Sequence, residues 1–98
     1  MSYRVRWLRG AMQTRREQLA YIAADNPRAA AEQEKRIRQH VANLAEHPSI
    51  GRGGRVPGTR ELIVPRTPFV VVYQVDEASR MVSILRVLHG AQQWPPPT

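Results

Sequence analysis

The sequence predicts an α+β fold with the element order β-α-α-β-β-β, in which a helical hairpin packs on one face of an antiparallel sheet. Three patterns carry this prediction. Residues 3–7 alternate apolar and arginine side chains, residues 10–47 show helical spacing with one break, and residues 59–88 contain three short apolar runs. A chain of 98 residues suffices for one compact domain, so we assign residues 1–98 to a single domain.

The first half of the chain predicts one strand and two helices. Apolar side chains at every second position of residues 3–7 are typical of a half-buried strand. Apolar residues at helical spacing then predict one helix over residues 10–25 and a second that ends near His47. Asn26 caps the second helix and Pro27 occupies its first turn, and so short a connection makes the two helices an antiparallel hairpin.

A glycine-rich loop separates the helices from the remaining strands. Residues 48–58, here called the glycine loop, contain four glycines and two prolines, a composition that disfavours helix and ordinary strand. The tail from Trp94 to Thr98 cannot be helical from Pro95 onward, and the sequence leaves open whether this tail is ordered.

The second half predicts three strands. Its apolar runs are separated by turn compositions and span residues 59–64, 69–75 and 81–88. The middle run is apolar on both faces, which predicts the central strand of a meander.

Composition excludes several classes of protein. There are no cysteines, so disulfides and thiolate chemistry are ruled out, and the three histidines are too scattered to form a metal-binding motif. No run approaches the ~20 apolar residues of a membrane helix, and the N-terminus lacks the apolar segment of a secretory signal. We therefore expect a cytoplasmic protein with no metal, no cofactor and no membrane partner.

Charge is the first positive indication of a partner. Fifteen basic residues stand against eight acidic ones, for a net charge of +7, and Lys35 is the only lysine among them. The excess lies in residues 1–24 and 48–75, whereas the other segments are neutral. The codon bias of a GC-rich genome would explain the preference for arginine, but its concentration in two segments favours an acidic or polyanionic partner.

The turn lengths decide which arginines share a face of the sheet. A four-residue turn before Phe69 places Arg60 opposite Tyr73, and a four-residue turn before Arg80 places Arg86 opposite Phe69. These registers put Arg60, Tyr73 and Arg86 on one face. One additional residue in the second turn sends Arg86 to the opposite face, and the sequence does not decide between the two.

Each candidate residue has a structural and a functional interpretation. Arg86 lies inside an apolar run, so it either pairs with a carboxylate such as Glu61 or points towards a ligand. His89 is either a packed, hydrogen-bonded residue or an acid or base. Arg52 and Arg55 of the glycine loop are either solvated or in contact with an anionic target.

Several short pieces of the chain stand in an order that is typical of one known family. They are Asn26-Pro27, Pro48, Gly51-Arg52, Gly58-Thr59-Arg60-Glu61-Leu62, Val70-Val71-Val72-Tyr73 and Ile84-Leu85-Arg86-Val87-Leu88-His89-Gly90. Together they resemble the RelE/ParE toxin superfamily over about residues 3–94. The resemblance implies a toxin of a type II toxin–antitoxin system, a small basic growth inhibitor of the cytoplasm that a cognate antitoxin holds inactive. We expect an acidic and apolar segment of that antitoxin on the arginine face of the sheet or in the groove beside the helical hairpin.

The branches of this superfamily imply different targets. The RelE-like branch cleaves mRNA on the ribosome, and for it the resemblance implies catalytic roles for Arg60, Arg86 and His89. The ParE-like branch poisons DNA gyrase without such a set. The residues that we assign to target binding are Arg52, Arg55, Arg60, Tyr73 and Arg86.

Departures from the nuclease pattern decide between the branches. A lysine pair is absent because Lys35 is the only lysine, and a C-terminal catalytic tyrosine is absent because no tyrosine follows Tyr73. We therefore favour the gyrase poison, with a ribosome-dependent mRNA endoribonuclease and a non-toxic nucleic-acid-binding module as alternatives.

Overall fold

A computed structural model describes residues 2–90 and 92–97 of the chain. Its helices are α1 (Arg9–Asp25) and α2 (Pro27–Ala42), and a single 3₁₀ turn (Asn43–Ala45) follows them. Its strands are β1 (Arg4–Trp7), β2 (Arg52–Gly53), β3 (Arg60–Ile63), β4 (Phe69–Asp76) and β5 (Met81–His89). They form one sheet in the order β1-β5-β4-β3-β2. Met1, Ala91 and Thr98 lie outside the described residues, so the tail is described only as far as Pro97.

The α+β class and the predicted helices and strands are confirmed, but the sheet differs from the prediction at both edges. β1 pairs with β5 in parallel, so the sheet is mixed and not wholly antiparallel. The antiparallel prediction is wrong for β1 because period-two alternation determines which side chains face the core and not the direction of pairing. At the other edge, Arg52 and Gly53 form the short strand β2 where the sequence predicts only loop. Its pairing satisfies backbone groups of β3 that would otherwise lie on an open sheet edge.

The helical hairpin forms as predicted. The side chain of Asn26 accepts a hydrogen bond from the backbone N–H of Ala29 at 3.0 Å, and a proline stands in the first turn of α2. α2 ends at Ala42, earlier than predicted, and the 3₁₀ turn continues the chain to Ala45. The N–H of Tyr3 donates to the carbonyl of Ala45 at 2.7 Å, which joins this turn to the start of β1. Within the described ranges, no helix is both long and apolar enough to cross a lipid bilayer.

The two faces of the sheet are both buried but by different parts of the chain. The face that we call the helix face packs against α1 and α2 in the main core, and its buried side chains include Val71, Tyr73, Ile84 and Val87. The opposite face, here called the outer face, is buried at Val70, Val72 and Leu88. β4 is therefore covered on both sides, which confirms it as the central strand.

Candidate functional site

Arg60 lies directly opposite Tyr73, as the four-residue turn before Phe69 predicts. It is half-buried on the helix face, and its Nη1 donates to the carbonyl oxygens of Gly51 at 2.9 Å and Ser49 at 3.2 Å. No carboxylate among the described residues pairs with it, so its positive charge is not neutralised by a neighbour.

Tyr73 is completely buried, and both hydrogen bonds of its hydroxyl stay within the protein. The hydroxyl donates to the carbonyl of Pro48 at 2.8 Å and accepts from the N–H of Gly51 at 2.9 Å. Burial raises the pKa of Tyr73 above its ordinary value, although the Gly51 N–H and the charge of Arg60 oppose the change. Tyr73 therefore anchors the start of the glycine loop, and it presents no surface to a target.

Of the two alternatives that the sequence leaves open, the structure shows the one in which Arg86 lies on the opposite face from Arg60 and Tyr73, although a bulge and not a longer turn produces it. Tyr73 pairs with Ile84, but Val72 pairs with Arg86, because the register shifts between Val72 and Tyr73. One extra residue in β5, a β-bulge, reverses the facing of every side chain beyond it. Arg86 consequently lies on the outer face.

The guanidinium of Arg86 extends from the outer face to the beginning of α1. A Cβ atom built on Gly10 would stand 1.8 Å from its Nη1, so a side chain at position 10 would displace the guanidinium from this position. Nη1 donates to the carbonyl of Leu85 at 2.6 Å, and the guanidinium carbon lies 5.7 Å from the centroid of the Trp94 ring. No carboxylate pairs with Arg86 in residues 2–90 and 92–97. The salt bridge to Glu61, one of the two interpretations that the sequence allows, is therefore not formed.

His89 lies far from Arg60 and on the opposite face from Arg86. It pairs with Phe69, so it is exposed on the helix face at the end of β5. Four residues along the sheet and two strand spacings separate it from Arg60, a Cα distance of about 16 Å. The three residues that a nuclease would require therefore do not converge on one point.

Glu61 is the buried acid of the region, and it binds the two arginines of the glycine loop. Only 1% of its side chain is exposed. Its carboxylate accepts from Arg52 Nη2 at 3.1 Å, from Arg55 Nε at 3.0 Å and from the backbone N–H of Arg55 at 2.9 Å. Burial alone would raise the pKa of Glu61, but these hydrogen bonds outweigh it and lower the pKa to about 2. Arg52 and Arg55, predicted as solvated or target-binding, thus have an internal carboxylate partner.

Residues from both faces of the sheet bind the glycine loop. Tyr73 and Arg60 bind its first residues from the helix face, and Glu61 binds Arg52 and Arg55 from the outer face.

Across residues 2–90 and 92–97, the structure brings together no group of three histidine, aspartate or glutamate side chains that could hold a metal ion.

A mostly apolar groove of about 500 Å³ lies between α1 and α2. Its apolar lining includes Met12, whose side chain is 41% exposed, and Leu19. Arg15 and Arg16 stand on its α1 side, and the guanidinium of Arg15 lies 4.3 Å from the centroid of the Trp7 ring. An apolar groove with positive charge along one side suits an amphipathic segment with acidic residues.

Three residues of the site have weak or no signal in the sequence. The sequence offers Glu61 as a partner of Arg86, and only the presence of two arginines in the adjacent loop indicates the partners that the structure shows. Gly10 looks like an ordinary residue near a helix start, and Trp94 lies in a tail that carries no periodic pattern. The contacts of Gly10 and Trp94 with Arg86 depend on the bulge and on the path of the chain after β5, and those of Glu61 depend on the fold of the glycine loop. Sequence patterns specify none of these.

Solved structures define the class of fold. A chain of the "Chromosomal ParDE TA system from P. aeruginosa" matches with a TM-score of 0.79 at 24% identity, covering 90% of this chain and 96% of that one. The E. coli RelBE toxin–antitoxin complex gives a TM-score of 0.65 at 17% identity, covering 94% of this chain and 100% of that one. The Mycobacterium tuberculosis RelBE2 complex gives 0.64 at 24% identity, with 91% and 99% covered. At these identities the likeness establishes the fold, which is that of the RelE/ParE toxins.

Sequence similarity establishes the family. Residues 5–94 match the family described as "ParE toxin of type II toxin-antitoxin system, parDE". The protein named "Putative toxin Y4kP" of Sinorhizobium fredii (strain NBRC 101917 / NGR234) is 45% identical over 92 residues, which cover 94% of this chain and 93% of that protein. The chain therefore belongs to the ParE toxin family of type II toxin–antitoxin systems, and the resemblance drawn from the sequence is confirmed.

Proposed function

We propose that this toxin arrests growth in the cytoplasm by binding DNA gyrase, and that a cognate antitoxin neutralises it. The observation that carries the choice of target is the separation of Arg60, Arg86 and His89. Arg60 and His89 are about 16 Å apart on the helix face, and Arg86 is on the outer face.

That separation argues against an mRNA endoribonuclease. Cleavage of a phosphodiester with a 2′-hydroxyl needs a base, an acid and a cation within hydrogen-bond reach of one phosphate. Tyr73 is buried with both hydrogen bonds of its hydroxyl satisfied, and Glu61 is an ionised partner of two arginines. Neither Tyr73 nor Glu61 can therefore act as the acid or base beside Arg60 or Arg86 in place of the distant His89. Binding, in contrast, needs only an unneutralised positive charge, and neither Arg60 nor Arg86 pairs with a carboxylate among the described residues.

The target is tested by two assays on the same preparation. We expect the purified toxin to inhibit the supercoiling of relaxed plasmid by gyrase, and we expect primer extension on translated transcripts to show intact mRNA during growth arrest. Arg86→Gln should raise the half-inhibitory concentration about tenfold to a hundredfold, the loss expected for a hydrogen bond to a charged group. Arg28→Gln, which removes the same charge from α2, should leave it unchanged. Codon-phased cuts in mRNA with unimpaired gyrase would overturn the proposal in favour of the nuclease, and harmless expression would overturn both.

The antitoxin is proposed to lay an acidic, amphipathic helix in the groove between α1 and α2. Support comes from the groove itself, which is apolar at its centre and carries Arg15 and Arg16 on α1, while Glu34 on its α2 side already pairs with Arg38 at 2.7 Å. Arg16→Glu should weaken the binding of the product of the neighbouring gene at least about tenfold, the effect of opposing charges across an interface. Arg9→Glu, which reverses a charge outside the groove, is the matched control. Equal binding by both variants would place the antitoxin elsewhere, for example on the sheet.

A further inference from the structure

The chain turns back on the protein after β5, and Gln92 holds it there. The Gln92 side-chain oxygen accepts from the backbone N–H of His89 at 3.2 Å and from the side-chain amide of Gln18 at 3.3 Å. Its backbone carbonyl accepts from Arg55 Nη1 at 3.3 Å. One residue thereby links β5, α1 and the glycine loop. We call residues 92–97 the tail strap.

The tail strap covers Arg86. The guanidinium of Arg86 lies 5.7 Å from the centroid of the Trp94 ring, and both side chains are half-buried. A guanidinium has five N–H donors, and among the described residues the carbonyl of Leu85 is the one acceptor that this guanidinium has. Arg86 therefore keeps most of its capacity to bind an oxyanion, but Trp94 occupies the adjacent space.

The closed position of the strap is only weakly favoured. The indole N–H of Trp94 is buried without a hydrogen-bond partner among the described residues, and a buried unsatisfied donor is unfavourable. The cation–π contact, three hydrogen bonds of 3.2–3.3 Å and a fourth of 2.8 Å from the N–H of Gln92 to the carbonyl of His89 act in the opposite direction. The side-chain hydrogen bonds that hold Gln92 are exposed, so water replaces them on opening with little net change in free energy. Because a cation–π contact and an unsatisfied donor are comparable in strength, moving Trp94 away from Arg86 requires little free energy.

We propose that the tail strap is a displaceable cover, and that Arg86 binds an oxyanion of the target only when Trp94 has moved away. This inference rests on the proposed role of Arg86 in target binding. Opening exchanges the Trp94 ring for an oxyanion, and it also frees the indole N–H to bind water. A target that supplies an oxyanion therefore shifts the strap towards the open position.

The cover is tested by the reactivity of individual arginines towards phenylglyoxal, followed by mass spectrometry of the full chain after digestion. Trp94→Ala should raise the modification rate of Arg86 about threefold to tenfold, the change in accessibility that loss of a cation–π contact implies. Arg4, which is exposed on β1, is the internal reference and should not change. Trp94→Phe keeps a ring and removes the unpaired N–H, so its Arg86 rate should stay at or below that of the wild type. Gln92→Ala, which loosens the strap without touching the ring, should raise the rate as well.

Two outcomes separate the cover from the role of the arginine. An Arg86 rate that is the same in Trp94→Ala, in Gln92→Ala and in the wild type overturns the cover. If the rate rises, Trp94→Ala should also inhibit gyrase at a several-fold lower concentration. A faster Arg86 reaction with unchanged inhibition of gyrase would leave the cover established and would overturn the binding of target by Arg86. Circular dichroism melting of each variant ensures that a raised rate does not come from unfolding, because unfolding would expose every arginine.

Discussion

Replacing Glu61 with glutamine removes one buried negative charge and nearly preserves the shape of the side chain. Three donors from Arg52 and Arg55 converge on this carboxylate within 3.1 Å. The amide of glutamine has a single acceptor oxygen, and its NH₂ group would face the N–H groups of the arginines. We therefore expect Glu61→Gln to leave both guanidinium groups without a counter-charge and to loosen the glycine loop.

The size of the effect follows from burial and from the pKa of Glu61. Removing one partner of a buried ion pair costs about 3–5 kcal/mol, but Arg52 and Arg55 are 56% and 37% exposed and regain water, so we expect about 2–3 kcal/mol. The folded protein lowers the pKa of Glu61 from 4.5 to about 2, and at about 1.4 kcal/mol for each unit of pKa this corresponds to about 3.5 kcal/mol. A loss of 2–3 kcal/mol in a domain of this size lowers Tm by roughly 10–20 °C.

The pH dependence identifies the charge as the cause. Because folding lowers the pKa of Glu61, its contribution to stability is fully present above the unfolded-state value of 4.5 and is lost as the pH falls towards about 2. Urea unfolding of the wild type and of Glu61→Gln, followed by circular dichroism from pH 7 to pH 2.5, measures the difference in free energy of unfolding. That difference should be largest near neutral pH and should shrink below pH 4.5.

Glu34→Gln is the matched control for this experiment. Glu34 pairs with Arg38 at 2.7 Å on the surface of α2, and an exposed pair at this spacing contributes only about 0.3–0.5 kcal/mol. If the Glu61→Gln difference stayed constant from pH 7 to pH 2.5, its cause would be packing and not charge, and our account of the ion pairs would be refuted.

Three further substitutions test the supports of the site, each by urea unfolding. Tyr73→Phe leaves the buried N–H of Gly51 without its acceptor and should cost about 1–3 kcal/mol; a cost near zero would mean that water replaces the hydroxyl. Asn26→Ala removes the cap of α2 and should cost about 1 kcal/mol, and an unchanged stability would contradict the capping role. Gly10→Ala places a Cβ 1.8 Å from Nη1 of Arg86. Because a flexible side-chain end can move, stability should change by less than about 1 kcal/mol, while Arg86 should react faster with phenylglyoxal. An unchanged rate of reaction of Arg86 with phenylglyoxal would show that its guanidinium does not contact position 10.

The parts of the fold that the sequence predicts correctly are those in which a few residues fix the geometry. Asn26 and Pro27 leave the two helices no path except an antiparallel hairpin, because one caps α2 and the other occupies its first turn. The short turn before Phe69 likewise fixes the pairing of Arg60 with Tyr73. In both cases the determining residues are neighbours in the chain.

The parts that the sequence does not predict depend on contacts between distant segments. The parallel pairing of β1 with β5 joins residues more than seventy positions apart, and alternation in β1 is compatible with either direction. The ion pairs of Glu61 require the glycine loop to fold over the outer face, and the tail strap requires the chain to reverse after His89. No local pattern encodes these paths.

The bulge in β5 decides what Arg86 can do. Continued without the extra residue, the register between Tyr73 and Ile84 would place Arg86 opposite Val71, on the helix face and within the apolar core. A guanidinium there would lose its water and would have to find a buried carboxylate. The bulge instead moves Arg86 to the outer face, where its side chain reaches past the end of β1 to Gly10. The predicted and the observed turn both contain four residues, but the observed turn lies one residue later in the chain. This shift leaves the facing unchanged, so the single inserted residue alone places Arg86 and Arg60 on opposite faces. That separation keeps Arg60 and Arg86 from meeting at one phosphate, and it leaves Arg86 at the margin of the sheet beside Trp94 of the tail strap.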